Sequence, residues 1–262
     1  MSAVCALLCD GGRVEEHSRL PHALCPCVDC LLQGDHVGQT FALIHTSPAL
    51  TQIFGTLCEK QMPGVDVFHM VDESLIRDTI RAGELRKVTI RRLLGMVESA
   101  GEAGADAVMV TCSSIGEGVT LAQQVFDFPV IRVDEAMAEA AVRTGERLGV
   151  MATLRTTLEP TTALLREKAA AMGRRVELVE CLCDGAFDAV LTGDTATHDR
   201  IVSAALLDEM RGVDAVVLAQ ASMARVVGAM PAGALKMPVL SSPELSVQRA
   251  REILLELAGA TA

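Results

Sequence analysis

The sequence predicts an α/β protein made of two halves related by a pseudo-twofold axis, each a doubly wound parallel sheet, with the site between them. Two observations predict this fold. Short β-branched runs alternate with long helical patterns from residue 41 onward, and strands separated by helices form parallel sheets covered on both faces. In addition, GADAVMVTC at residues 104–112 matches GVDAVVLAQ at residues 212–220, which indicates an internal duplication.

Eight strands are predicted, four in each half. They cover residues 41–45, 65–70, 107–110, 130–133, 148–151, 176–179, 215–218 and 239–240. Long helical patterns lie between them, and one of these covers residues 88–103. In that pattern Val88, Leu93 and Val97 belong to one apolar face.

Further matches between the halves define the expected domain boundaries. FALIHT, which ends at Thr46, pairs with LGVMAT, which ends at Thr153, and PVIRVDEAM from Pro129 pairs with PVLSSPELS from Pro238. We therefore expect a first half at residues 41–144 and a second at residues 145–262, with the last helix able to pack back on the first half. Residues 1–40 are expected to form a Cys-rich N-terminal extension.

The composition disfavours several classes of partner. With six Phe and no Trp or Tyr, the chain lacks the aromatic platforms on which nucleobases stack. A net charge of −11 without a long basic run disfavours nucleic acid and anionic membrane surfaces. No apolar run approaches the roughly 20 residues that span a bilayer. We expect neither a nucleic-acid nor a membrane partner.

The cysteines and the N-terminal segment favour a cytoplasmic protein. MSAVCALLCDGG has no basic flank and too short an apolar run for a signal peptide, and nine Cys, an odd number, suit a reducing compartment. His22 precedes the run Cys25, Cys27 and Cys30, which are ligand types that zinc prefers. No second ligand pair follows, so we expect an irregular extension and no metal.

Polar turns follow the predicted strands, at the edge where doubly wound sheets bind their ligands. Hydroxyl groups are frequent in these turns. The expected substrate-binding residues are Thr46, Ser47, Ser113, Ser114, Thr153, Thr156, Gln220 and Ser222. The duplication aligns Cys112 of the first half with Gln220 of the second.

Cys112 is the candidate for proton transfer. It ends a strand and precedes a helix, where backbone N–H groups and the helix dipole favour a thiolate and are expected to lower its pKa. The same amides, with the hydroxyls of Ser113 and Ser114, suit a substrate carboxylate. The alternative is that Cys112 is a small buried apolar residue.

Three segments together resemble the aspartate/glutamate/hydantoin racemase superfamily: Val110 to Ser114, the turn at Thr153 after LGVMA, and Leu218 to Met223. The resemblance implies an enzyme that works without a cofactor on a small carboxylic acid, such as an amino acid. It also implies two catalytic cysteines, one in each half. Cys112 matches the first, whereas Gln220 occupies the second position, and a glutamine amide is neither an acid nor a base near neutral pH.

The missing second cysteine leaves three hypotheses for the function of the chain. His45, which ends the first strand, is the candidate for a second acid or base in an isomerase, since histidine titrates near neutral pH; a structural role is the alternative. Otherwise the chain resembles the single-cysteine decarboxylases and lyases of the superfamily, or is a carboxylate-binding protein that has lost catalysis. We also expect a homo-oligomer.

Overall fold

Strands and helices alternate along the chain, as the periodicity predicts. The computed structural model describes residues 38–231 and 233–261. The expected Cys-rich extension, with His22 and Cys25 to Cys30, lies outside the described residues apart from its last three positions.

The strands and helices have these bounds. The strands are β1 (Thr40–His45), β2 (Asp66–Val71), β3 (Ala107–Val110), β4 (Val130–Arg132), β5 (Arg147–Ala152), β6 (Glu177–Leu182), β7 (Ala215–Leu218) and β8 (Val239–Ser241). The helices are α1 (Ala49–Gln61), α2 (Glu73–Ala82), α3 (Lys87–Glu102), α4 (Gly116–Val125), α5 (Glu135–Thr144), α6 (Arg155–Ala171), α7 (Ala186–Leu191), α8 (Thr195–Asp208), α9 (Ala221–Ala229) and α10 (Ser242–Thr261). A single 3₁₀ turn, Ser113–Ile115, separates β3 from α4.

The strands form two four-stranded parallel sheets with the same order. The first sheet runs β2-β1-β3-β4 and the second runs β6-β5-β7-β8, and every pairing is parallel. Each sheet changes direction of winding beside its first strand, so that loops from β1 and β3, or from β5 and β7, diverge there. The predicted α/β class with two doubly wound halves is confirmed.

The matching segments of the two halves occupy equivalent positions. Gly104 and Gly212 both have positive φ, 92° and 73°, a backbone conformation that glycine adopts without steric cost. Asp106 then accepts a hydrogen bond from the Thr40 amide at 2.8 Å, and Asp214 accepts one from the Arg147 amide at 2.8 Å. The Gly and Asp of each segment therefore connect the start of the third strand of each half to the start of its first.

Apolar clusters cover both faces of each sheet. One cluster in the first half includes Phe41, Leu43 and Phe54 together with Val247 and Leu254 of α10. The last helix thus packs against the first half, and it also contacts α1 and α5. Because both faces of the sheets are covered, their carboxyl ends are left to line a cavity.

Candidate active site

A cavity of about 720 Å³ lies at the carboxyl ends of strands from both sheets. Its polar wall comes from the turns after β1, β3, β7 and β8 and from the first turn of α6. The polar residues and the small ones beside them are Thr46, Ser47, Thr111, Cys112, Ser113, Ser114, Thr157, Ala219, Gln220, Ala221, Ser222 and Ser242. Both halves therefore contribute to one site.

Cys112 and Gln220 both line this cavity, and they occupy equivalent positions of the two halves. Cys112 is the second residue after β3, and Gln220 is the second residue after β7. Within the described part of the chain, Cys112 is the only thiol on the wall, because Cys58, Cys181 and Cys183 lie elsewhere.

The electrostatic environment of Cys112 differs from the prediction. Burial raises the pKa of its thiol, and this effect outweighs the hydroxyls of Thr46 and Ser114 and the amides of Ser114 and Ile115, which all lower it. The predicted direction of the pKa shift is therefore wrong, since desolvation of the thiolate is larger than the stabilisation by the turn.

The Gln220 amide has a defined orientation. Its Oε1 atom accepts hydrogen bonds from the Thr153 amide at 2.6 Å and from Thr153 Oγ1 at 3.0 Å. A backbone N–H is only a donor, so the atom that faces it must be the oxygen. The two N–H groups of Gln220 Nε2 then have no acceptor among the described residues, and they are available to an anionic ligand.

Thr153 and Thr156 do not line the cavity as predicted. Thr153 instead holds Gln220, as described above, and Thr156 Oγ1 is buried without a hydrogen-bond partner among the described residues. Their neighbours Leu154 and Thr157 are on the wall. The prediction for Thr156 is wrong because successive side chains of a helix point about 100° apart, so only part of the first turn of α6 faces the cavity.

Thr157, which the sequence reasoning did not select, joins the two halves. Its Oγ1 lies 2.8 Å from Oγ of Ser114. Both side chains are buried, at 2% and 5% exposure. A buried hydroxyl needs a hydrogen-bond partner, and these two satisfy each other.

His45 lies at the end of β1 but is absent from the described cavity wall, and its side chain is fully buried. Its Nδ1 is 2.7 Å from Thr111 Oγ1 and its Nε2 is 2.8 Å from His69 Nδ1. Burial, followed by the charge of His69, lowers the pKa of His45 to about 4. This placement does not support the expectation that His45 itself contacts the substrate as a second acid or base.

The rest of the cavity wall is apolar apart from two arginines and a glutamate. The apolar residues are Ala49, Leu50, Ile53, Phe54, Ile76, Ile80, Val133, Leu154, Phe187, Val190 and Leu191. Arg77 and Arg81 line the same region from α2, and Glu73 precedes them by one turn. Neither arginine forms an ion pair with any described residue, and both are exposed. Arg155 instead is exposed, off the wall and near Glu159.

A buried ion pair supports the turn that carries Cys112. Nε of Arg132 lies 3.0 Å from Asp134 Oδ1, and both side chains are almost fully buried, at 6% and 0% exposure. The guanidinium packs against Gly116, the first residue of α4, where an added Cβ would lie 2.4 Å from Nη2 of Arg132. Only glycine leaves room for the guanidinium there.

These features define the class of protein: an α/β protein with a cleft between its two halves, lined by hydroxyl groups, one amide side chain and one thiol. The Asp/Glu/Hydantoin racemase family matches residues 43–250 of the sequence. The chain belongs to this family, which confirms the resemblance seen in the sequence. Family membership supports a racemase-type function.

Solved structures share the fold at low sequence identity. Glutamate racemase from Francisella tularensis, in complex with D-glutamate, aligns with a TM-score of 0.65 and 14% identity over 84% of this chain and 82% of that one. Allantoin racemase from Klebsiella pneumoniae aligns with a TM-score of 0.61 and 18% identity over 84% of this chain and 89% of that one. No curated protein sequence matches this chain.

Two kinds of feature are absent from the described residues, a membrane-spanning helix and a cluster of metal-ligand side chains. No helix within residues 38–231 or 233–261 is long and apolar enough to cross a membrane. In the same part of the chain, no group of three or more His, Cys, Asp or Glu side chains is arranged to hold a metal ion.

Proposed function

We propose that this protein is a cofactor-independent enzyme of the racemase or isomerase type that acts on a small carboxylic acid, with Cys112 as proton donor and acceptor. The observation that supports the proposal most directly is that Cys112 and Gln220 occupy equivalent turns of the two halves and line one cavity. Family membership supports the same conclusion.

The proposed carboxylate site consists of neutral donors. Hydroxyls of Thr46, Ser47, Ser113, Ser114 and Ser222 line the cavity, and Gln220 Nε2 has N–H groups without a protein acceptor. Loss of the α-proton converts a carboxylate into an enediolate and moves negative charge onto its oxygens. Donors fixed beforehand at those oxygens stabilise that charge.

A second candidate is a decarboxylase or lyase with one proton-donating cysteine, and the pKa of Cys112 favours it. Burial raises that pKa, so the resting group is the protonated thiol, an acid. In this reaction the bond to the departing carboxylate breaks, its electron pair remains on the α-carbon, and the Cys112 proton forms the new C–H bond. The resulting thiolate then regains a proton from water.

Incubation of separate enantiomers in D₂O tests the proposal. For aspartate, glutamate and 2-phenylpropionate, proton NMR reports exchange at the α-carbon and chiral chromatography reports inversion. We expect slow or no inversion of aspartate and glutamate, since one thiol reaches one face of the carbon. Exchange in any probe acid should disappear in Cys112→Ser and persist in Cys58→Ser, whose thiol is buried outside the cavity.

The same assay separates the alternatives. Inversion at comparable rates for both enantiomers supports the racemase class but indicates a second acid or base, which contradicts the expectation that Cys112 acts alone. Loss of CO₂ from phenylmalonate, dependent on Cys112, favours the decarboxylase. Binding of these acids without any exchange or CO₂ release indicates a carboxylate-binding protein. The cytoplasmic location and the homo-oligomer both stay predictions. Light scattering of the purified protein tests the oligomer.

A further inference from the structure

Three side chains joined by hydrogen bonds lead from the cavity wall to the protein surface. Thr111 lines the cavity next to Cys112. Its Oγ1 lies 2.7 Å from Nδ1 of His45, and His45 Nε2 lies 2.8 Å from Nδ1 of His69. The outer member, His69, is exposed. The path therefore has one end at the cavity and one end at solvent.

Strand register explains why these residues meet. Leu43 on β1 pairs with His69 on β2 and with Met109 on β3. Two residues further along, His45 and Thr111 follow in the same register and on the same face, because side chains alternate with period two. His45 and His69 are diagonal neighbours across the parallel pair, a separation that imidazole rings span. Their rings are 23° from parallel with centroids 5.1 Å apart.

We propose that Thr111, His45 and His69 form a proton relay that connects solvent with the cavity beside Cys112. The role in catalysis rests on the function proposed above. A one-thiol enzyme that gives a proton to its substrate must regain one before the next turnover. Cys112 is partly buried on the cavity wall, and the relay supplies that proton from the solvent at His69 even when a ligand fills the cavity.

The transfer balances without any other reactant. In the first state His69 Nδ1–H donates to His45 Nε2, His45 Nδ1–H donates to Thr111 Oγ1, and Thr111 donates to the Ile44 carbonyl at 3.2 Å. A solvent proton binds His69 Nε2; each bridging proton moves one place inward; the Thr111 hydroxyl proton passes to the base in the cavity. In the second state the His45–His69 and His45–Thr111 hydrogen bonds are reversed, Thr111 donates to His45 Nδ1 instead of the Ile44 carbonyl, and both histidines are again neutral.

Burial keeps the resting relay neutral. It lowers the pKa of His45 to about 4 and lowers the pKa of His69 as well. At neutral pH both rings therefore carry one proton each, which leaves one nitrogen of each ring free to accept. A ring protonated at rest would have no acceptor nitrogen and would block the path.

Hydrogen exchange of the His45 ring N–H tests the relay without any substrate. The ring has no exposed surface, so its proton reaches water only through Thr111 or His69. His69→Asn keeps a side-chain hydrogen bond but cannot pass a proton through, and Thr111→Val removes the inner hydroxyl while Thr111→Ser keeps it. With ¹⁵N-labelled histidine, saturation transfer from water measures the exchange rate.

We expect each single substitution, His69→Asn or Thr111→Val, to leave the other end of the relay open. The double variant His69→Asn/Thr111→Val should slow exchange of the His45 ring proton at least about tenfold relative to either single variant. The matched variant His69→Asn/Thr111→Ser should exchange like His69→Asn alone. Exchange in the double variant as fast as in the single variants shows a bypass and overturns the relay. Exchange already stopped by one single substitution shows that only one end is connected, and also overturns it.

A second measurement links the relay to turnover. For any acid that shows Cys112-dependent exchange, His69→Ala should lower the rate by about tenfold or more, and imidazole added to solution should restore it, because the vacated position is exposed. A merely structural role gives no such rescue. If no acid shows exchange at its α-carbon while the His45 ring proton still exchanges through the relay, only the proposed function is contradicted. If the relay is blocked in the variants but the α-carbon exchange remains at the wild-type rate, only the relay is contradicted.

Discussion

The hydroxyls of Ser114 and Thr157 lie 2.8 Å apart, one from each half of the protein. This contact places the turn after Cys112 against the first turn of α6, and both residues line the cavity. The position of the thiol is therefore fixed by the second half as well as by its own strand. A ligand that displaces either hydroxyl would therefore break a contact between the two halves.

Alkylation should show that Cys112 is a protonated thiol at neutral pH. Because burial raises its pKa, we expect the iodoacetamide rate at Cys112 to rise only above the ordinary thiol range near pH 8.5. Cys181 is the internal control, since a hydrogen bond from Cys183 lowers its pKa, and it should react first. Peptide mass spectrometry measures both rates. A Cys112 rate that is already half-maximal at pH 7 contradicts this expectation.

Substitution of Gln220 should separate donor function from packing. Gln220→Glu replaces the free N–H groups with oxygen and places like charge near a bound carboxylate, so binding of malonate should weaken, and more strongly as pH rises from about 6 to 9. Gln220→Cys is smaller and should keep the fold. Calorimetry measures binding to both variants. Equal affinity of wild type and Gln220→Glu at every pH would show that Gln220 does not face the ligand.

Arg77 and Arg81 should favour ligands with a second negative charge. Both are exposed, so each interaction is worth no more than about 1 kcal/mol. Arg77→Gln/Arg81→Gln should weaken binding of a phenyl-substituted dicarboxylate several-fold and leave a monocarboxylate nearly unchanged, and added salt should remove the difference. Arg155→Gln is the matched control, because Arg155 is also exposed but lies off the cavity wall. An equal effect of the control rejects this role.

Acidification should expose the cost of keeping His45 neutral. Its pKa falls from 6.5 to about 4 in the folded protein, so between these values the unfolded chain binds a proton that the folded chain does not. The free energy of unfolding therefore decreases as pH falls through this window, by on the order of 3 kcal/mol. His45→Asn should lose less stability between pH 7 and pH 4.5 in urea denaturation. A parallel decrease in both proteins contradicts the assignment.

Local patterns predicted the sheets because each strand has a clear start and end. β3 and β7 agree with their predicted bounds, since a Gly and an Asp precede each strand and a polar turn follows it. Cys112 and Gln220 could be found for the same reason: the repeat aligns the ends of these two strands.

The features that were missed depend on packing between distant elements. Arg77 and Arg81 lie one turn apart on α2, a spacing typical of any solvent-facing helix side, and only the fold places that side on the cavity. The pKa of Cys112 depends on how deeply the folded protein buries its thiol. His69 could have been predicted from the sequence, because it lies in a strand at a position whose side chain points to the same face as His45.

The turn that carries Cys112 depends on the absence of a side chain at Gly116, a residue that lies off the cavity wall. Any larger residue there would displace the Arg132 guanidinium and leave the Asp134 carboxylate, which is fully buried, without its counter-ion, a change that destabilises proteins by about 3–5 kcal/mol. Substitution at position 116 is therefore expected to cost more stability than substitution of the apolar cavity residues on α1 and α2. The turn that carries the thiol thus depends on an ion pair made by residues outside the cavity wall.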